Sequence, residues 1–444
     1  MAVIKLSEHF TYFKLLRFTL PTIIMMIFTS LYCVVDGIFI SNCLGSDAFA
    51  AVSIVWPINL IYSTIGFMIG IGGGALISKT LGEGKKYLAK RYFSMFIYFD
   101  ILSGIFFSIL GYFTVRPITK LLGAEGDVLE FGVLYGKILF IPLTLCILQN
   151  SFQSFFIVAE RPKLGLIVSV IAGLTNIVGD FIFVYLCDIG IKGPAIATGI
   201  SQCVGAILPI LYFMIDNDTH LRLEFTKLEF KPIFKACVNG LSEMMIFISV
   251  SVVTMLYNYQ LLRIKGSDGV IAYGVISYSN YIFVNIFSGY SDGSSPIVSF
   301  HFGAKNTDEL ENLLKKSLII ISTASIVIFG ISEGLADVFA IIFVRNDNAL
   351  FRLTIRAIRI YSIAYIIMGY NVYISSFFTG LNNGIISAII AMFRTIICQV
   401  IMIFVLPLLF DIDGVWMAIS FAEGITLFVS LYFIISNRKK YKYY

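Results

Sequence analysis

Gly45-Ser46-Asp47-Ala48-Phe49-Ala50-Ala51 returns as Gly266-Ser267-Asp268-Gly269-Val270-Ile271-Ala272, at an offset of 221 residues (266 against 45) in a chain of 444. Without a gap, the same offset sets Gly72 on Gly293, Ser78 on Ser299 and Gly82 on Gly303. It continues through Asn150 on Asn371, Ser154 on Ser375, Gly193 on Gly414 and Ala197 on Ala418. A period of half the chain is too long for a solenoid or propeller. It predicts two homologous lobes, and in an apolar chain duplicated lobes point to a transporter with its site between them.

Composition sets the solvent. Hydrophobic residues make up 58% of the chain and charged residues 13%, about half the charged share of a soluble domain. The chain reads as an all-α integral membrane protein, with the lipid bilayer as its surroundings and no nucleic-acid partner. The N-terminal stretch from Lys5 to Arg17 lacks a cleavable-signal pattern. The seven cysteines, Cys33, Cys146, Cys203 and Cys398 among them, form no C-x-x-C and read as small packing residues.

Twelve apolar segments are expected, near 15–41, 49–77, 92–115, 131–158, 164–187 and 194–215, then 236–262, 270–299, 317–344, 357–379, 385–409 and 415–436. Each is long enough for a spanning helix, and none alternates as a barrel strand does. Most of the 32 Lys and Arg fall on one side if both termini are cytoplasmic, which orients the chain in the cell membrane. The polar stretch 216–235 then joins a first lobe, 1–215, to a second, 236–444. Six crossings per lobe is an even number, so the duplication is parallel, with its axis along the membrane normal.

Function is sought where the copies differ. Asp36 in segment 1 and Asp180 in segment 5 face Tyr257 and Ile401 at the repeat offset. An aspartate at helix centre costs about 2.5 to 3.5 kcal/mol to insert, so it needs a partner or a wet cavity. Asn176 lies four residues before Asp180, on the same helix face, and Thr198 starts the next segment. Two carboxylates, an amide and a hydroxyl suit a shared proton or a small hard cation such as Na+. The bland alternative is a set of polar residues locking helices together.

Pro21-Thr-Ile-Ile-Met-Met-Ile-Phe-Thr-Ser-Leu-Tyr-Cys-Val-Val-Asp36-Gly-Ile-Phe-Ile, with Leu44-Gly45 and Ala50-Ala51 after it, resembles the opening of multidrug and toxic-compound extrusion (MATE) antiporters. Gly289-Tyr-Ser-Asp-Gly293-Ser-Ser-Pro296-Ile-Val-Ser299-Phe-His-Phe-Gly303-Ala-Lys resembles the second-lobe counterpart. The resemblance implies two six-helix bundles around a V-shaped cavity, exporting amphipathic, often cationic compounds in exchange for H+ or Na+. It implies a cation or proton site at Asp36, Asn176, Asp180 and Thr198, and a hinge at Pro21. For a second-lobe ion site it offers Glu243 in segment 7, but segment 10 carries no acid, so that site is incomplete.

Other residues carry less. Tyr32, Tyr257, Tyr281 and Tyr373 are candidates to line a cavity that stacks on flat cations, with Glu243 and Asp292 beside them. Arg394 and Glu423 read as an ion pair between neighbouring helices or as substrate contacts; Glu333 lies at membrane depth. Asp100, near the start of segment 3, reads as interfacial. His9, His220 and His301 fall in cytoplasmic or near-cytoplasmic stretches. Gly70-Ile-Gly72-Gly-Gly74 lacks the βαβ setting of a phosphate loop and reads as helix packing. The leading expectation is a monomeric antiporter, not an enzyme, with no cofactor beyond its coupling ion. The runner-up is a flippase for lipids or lipid-linked oligosaccharides, disfavoured because Arg394 is the only basic residue at mid-membrane depth.

Overall fold

The computed structural model describes residues 3–443 except 216, 345 and 346, and of residues 33, 34, 38, 41, 42, 46 and 343 the backbone alone. The readings that touch the Cys33 side chain and Asp216 as first linker residue lie outside the described residues. Among the described residues every regular element is helical. The first half holds α1 (Tyr12–Cys43), α2 (Ser46–Gly82), α3 (Lys86–Leu121), α4 (Gly126–Phe140), α5 (Leu143–Val158), α6 (Pro162–Asp180) and α7 (Lys192–Met214). After a connection with a short helix, α8 (Phe230–Asn239), come α9 (Leu241–Lys265), α10 (Ser267–Gly303), α11 (Thr307–Gly334), α12 (Ala336–Val344) and α13 (Asn348–Ser362). The chain ends with α14 (Tyr365–Gly380), α15 (Gly384–Met392), α16 (Cys398–Val405) and α17 (Pro407–Tyr441). Two π-helical turns, Phe181–Leu186 and Phe393–Ile397, follow α6 and α15.

Among the described residues, 10 helical runs are long and apolar enough to cross a membrane, and α4 with α5, bent by 58°, makes 11 if taken as one span. The expected tenth segment, 357–379, is not one helix. Its first part belongs to α13, whose Arg352, Arg356 and Arg359 give it a polar face, and the chain breaks before the 16 residues of α14. In the earlier bend Pro142 lacks an amide hydrogen and cannot continue the helix. The linker differs too: α8 crosses its expected end, and the break falls at Gly240.

Element boundaries carry the period of the sequence. α2 and α10 start at 46 and 267 and end at 82 and 303. α4 and α5 end at 140 and 158, and α13 and α14 at 362 and 380, within one residue of the same offset. Gly45 and Gly266 precede α2 and α10 with φ of 86° and 71° and extended ψ, a backbone region open only to glycine.

The halves meet along a glycine-lined seam. A Cβ added at Gly82 would stand 2.0 Å from the Phe300 carbonyl oxygen, and one at Gly303 2.1 Å from that of Lys79. Gly72 lies against Ala236 and Gly240, as Gly293 lies against Thr19. Each contact is the repeat image of the other, the reciprocity a two-fold axis produces. The Ser299 hydroxyl donates to the Ala75 carbonyl (2.6 Å), and Asn239 Nδ2 donates to the carbonyls of Gly72 (3.3 Å) and Thr379 (3.1 Å).

Residues before α1 cross the same seam as a strap. The Leu6 amide donates to Glu160 (2.7 Å), between α5 and α6. The Phe10 amide donates to Glu309 Oε1 (2.9 Å), and His9 Nδ1 lies 2.6 Å from Glu309 Oε2, at the start of α11. Asn312 Nδ2 (3.0 Å) and Lys316 Nζ (2.7 Å) donate to the Phe10 carbonyl. Leu6 and Phe10 are buried in the core that also holds Ile157, Leu310 and Leu313.

Candidate functional site

Segment 1 and the fifth and sixth segments of the first half converge on the four residues singled out by sequence. α6 packs against both α1 and α7. Small residues permit the approach: Gly173 lies under the rings of Phe28 and Tyr32, and Gly179 under Ala197. Asp180 ends α6 and is fully buried, and the chain passes directly into the π-helical turn. Asn176 Nδ2 donates to Thr198 Oγ1 (3.3 Å). Asp36 and Asp180 lie within electrostatic reach of each other.

This cluster is rich in acceptors and poor in donors. Asp36 Oδ1, both Asp180 carboxyl oxygens and Asn176 Oδ1 are buried with no hydrogen-bond partner among the described residues. Two carboxylates offer acceptors only, so they bond to each other only across a proton or a cation. Pro21 lies within α1, where it removes the helical bond to the Arg17 carbonyl.

The second half is built differently. Tyr257 and Tyr373 are each 1% exposed and belong to packed aromatic pairs, Tyr257 on Tyr273 (4.6 Å) and Tyr373 beside Tyr290 (6.0 Å). Both belong to the buried core of the second half. Tyr281 is exposed and Tyr32 half-buried, near Phe28 (6.2 Å). Glu243 on α9 and Asp292 on α10 are half-buried and within electrostatic reach of each other. Where α2 meets α9, Phe67 stacks on Phe247 (4.7 Å), and Asn285 Nδ2 donates to Ser30 Oγ (2.6 Å) between α10 and α1.

Arg394, on the second π-helical turn, pairs with Glu423 of α17 at 3.9 Å, as the ion-pair reading expects. Glu423 also accepts from Asn371 Nδ2 (2.7 Å), whose own oxygen accepts from Ser430 (2.8 Å). Glu333 is not at mid-span: α11 ends beside it, Ser362 donates to it (2.5 Å) and Arg359 lies 3.9 Å away. Asp100 is not interfacial either. It is fully buried, with neither oxygen partnered among the described residues. It is the fifteenth residue of α3, and the sequence gives no sign of its cover.

The chain resembles known proteins over nearly its whole length. The MatE family model matches residues 21–182 and 244–405. The multidrug export protein MepA of Staphylococcus saprophyticus is 24% identical over 444 residues, covering 98% of this chain and 96% of its own. MepA of Staphylococcus aureus strain MRSA252 is 22% identical, over 96% and 94%. A solved MATE in complex with MaL6 is 20% identical and covers 98% of each chain at a TM-score of 0.93. The outward-facing conformation of a multidrug resistance MATE transporter, also 20% identical, covers 96% of each at 0.91. With the family model matching twice across most of its length, this chain belongs to the multidrug and toxic-compound extrusion family.

Proposed function

We propose that this protein is a secondary antiporter that exports amphipathic, cationic organic compounds in exchange for H+ or Na+. The observation that carries the reading is the pair Asp36 and Asp180, within electrostatic reach of each other and with three carboxyl oxygens buried without a hydrogen-bond partner among the described residues. Asn176 and Thr198 complete an oxygen set for the coupling ion. Names of relatives as multidrug export proteins support the efflux direction.

In this reading twelve spans form two six-helix lobes, 1–215 and 236–444, joined by 216–235, with both termini cytoplasmic. The two family matches and the reciprocal glycine contacts favour it. Coupling ion and substrate favour different lobe arrangements, so each promotes release of the other. Inward movement of one charge releases about 2.3 kcal/mol per 100 mV. The flippase alternative gains nothing, because Arg394 is turned toward Glu423.

The test is efflux of an ethidium-like cation from proteoliposomes under separately imposed pH and Na+ gradients. Wild type responds to one of them, whereas Asp36→Asn and Asp180→Asn abolish gradient-driven efflux while still binding substrate. Gradient-dependent efflux at the wild-type rate from Asp36→Asn protein would sink the coupling role.

A further inference from the structure

Asp100 stands apart from the cluster of Asp36 and Asp180. That cluster lies on α1, α6 and α7, whereas α3 packs on α2, α4, α5 and α8. Asp100 is fully buried, and neither carboxyl oxygen has a hydrogen-bond partner among the described residues. By helical rise it lies about 21 Å from the start of α3, well inside a helix long and apolar enough to cross the membrane. The Gly70-Ile-Gly72-Gly-Gly74 run of α2 lets three helices close in near this level. A Cβ at Gly70 would stand 2.9 Å from Ser151 Cα on α5, and one at Gly73 2.8 Å from the Phe96 ring on α3. One at Gly72 would stand 2.2 Å from the Ala236 carbonyl oxygen on α8.

The neighbours of the carboxyl indicate what it binds. Ser151 and Cys237, on α5 and α8, lie within electrostatic reach of it, but the Ser151 hydroxyl donates to the Gly66 carbonyl (2.8 Å). Charges on the packed helices are engaged or placed elsewhere. α5 carries none, and α2 carries Asp47 in its first turn and Lys79 over the Phe302 ring. α4 carries Asp127 in its first turn, Glu130 paired with Arg116, and Lys137 over Tyr112. Lys231 and Lys235 of α8 are exposed. On α3 itself Lys90 and Arg91 pair with Glu224 and Glu229, while Lys86 and Lys120 stand at its ends. The connection adds Arg222 and Glu224 at the level of Ser94. Burying a carboxylate unpaired is far more costly than burying the neutral acid. A hard cation is a poor alternative, since one hydroxyl and a soft thiol do not complete its oxygen shell. A proton needs only the carboxyl itself.

We propose that Asp100 is a proton-binding site separate from Asp36 and Asp180, and that it exchanges its proton when α8 lifts from α2 and α3. α8 is the wall joined to the connection, and it breaks at Gly240 before α9 of the second half, so a rearrangement of the halves acts on it directly. Water entering between α3 and α8 accepts the proton and leaves a hydrated carboxylate; closure reverses the step. Acids at membrane depth serve as proton relays in this way. The inference rests on the burial of Asp100 and not on the coupling role given to Asp36 and Asp180, so its test requires no transport.

The experiment is infrared difference spectroscopy of the full chain in lipid nanodiscs at neutral pH, in H2O and in D2O. Wild type shows a carboxylic-acid C=O band that Asp100→Asn lacks. Asp100→Glu moves the band instead of removing it, which keeps the assignment if the asparagine variant does not fold. In D2O the band shifts as the proton exchanges. Gly72→Ala, whose Cβ would press on the Ala236 carbonyl of α8, speeds that shift roughly 5- to 150-fold. If Gly72→Ala does not yield monodisperse protein, Gly240→Ala is read, its Cβ standing 1.9 Å from the Met68 carbonyl oxygen. A carboxylate signature in place of the band overturns the bound proton. A band that shifts no faster in the glycine variant than in wild type overturns exchange past α8 and leaves a sealed structural acid.

Discussion

Replacing Gly82 by alanine probes how tightly the two halves are held together on the side of the termini. The added Cβ would stand 2.0 Å from the Phe300 carbonyl oxygen and 2.9 Å from both the Phe300 carbonyl carbon and the Ala304 nitrogen. These are backbone atoms of α10, so no rotamer change relieves the clash. Ordinary separation requires α2 and α10 to part by roughly 1 Å, and overpacking of this kind costs about 1–3 kcal/mol. A cost confined to the seam-closed arrangement shifts the population of opened molecules by roughly 5- to 150-fold. Ser78→Cys is a suitable reporter, because Ser78 is fully buried on α2 and its hydroxyl has no hydrogen-bond partner among the described residues. Labelling by a membrane-impermeant thiol reagent, in a background lacking the native cysteines, should accelerate by that factor in the Gly82→Ala protein. Gly424→Ala is the control, since a Cβ there meets nothing within 4 Å. Equal labelling rates in Gly82→Ala and its parent, with equal thermal midpoints, would refute the claim that glycine contact closes the seam.

Three further outcomes follow from the packing. Glu309→Ala strips the acceptor from the Phe10 amide and from Asn312 Nδ2, so stability in detergent should fall by about 1–3 kcal/mol and trypsin should cut at Lys5 sooner. Arg394→Met leaves Glu423 buried without its ion partner and should cost about 3–5 kcal/mol; adding Glu423→Gln should recover most of it, which a double-mutant cycle on thermal midpoints reads directly. Gly266→Ala forces a side chain into a φ of 71°, a strain of about 1–3 kcal/mol, measurable as a lowered midpoint with unchanged helical content.

Much of the architecture could be read from the sequence because apolar length and a repeated register are both one-dimensional signals. The starts of α2 and α10 sit where Gly45 and Gly266 require a turn. The cluster of Asp36, Asn176, Asp180 and Thr198 was legible because acids among apolar residues are costly and because a spacing of four sets two side chains on one face. Arg394 and Glu423 were legible for the same reason. The break before Tyr365 was not, since Ile363 and Ala364 carry no turn signal and the break becomes evident only beside its counterpart at Pro142. The burial of Tyr257 and Tyr373 was not legible, because the rotation of an apolar helix leaves no trace in an all-apolar sequence. Asp100 was misplaced because its cover comes from packing against other segments.

The strap before α1 also constrains how the molecule is made. Glu309 lies 300 residues beyond His9, so the contacts that seat the strap cannot form until α11 has been synthesised and inserted. Until then Leu6 and Phe10 lack Leu310 and Leu313 from the core that will bury them, and the seam lacks its second wall. Closing that face is therefore a late event in assembly, governed by a contact of very high sequence separation, which is the slow kind. A ribosome stalled before residue 309 would leave a first half fully threaded through the bilayer, yet with its opening segment still loose.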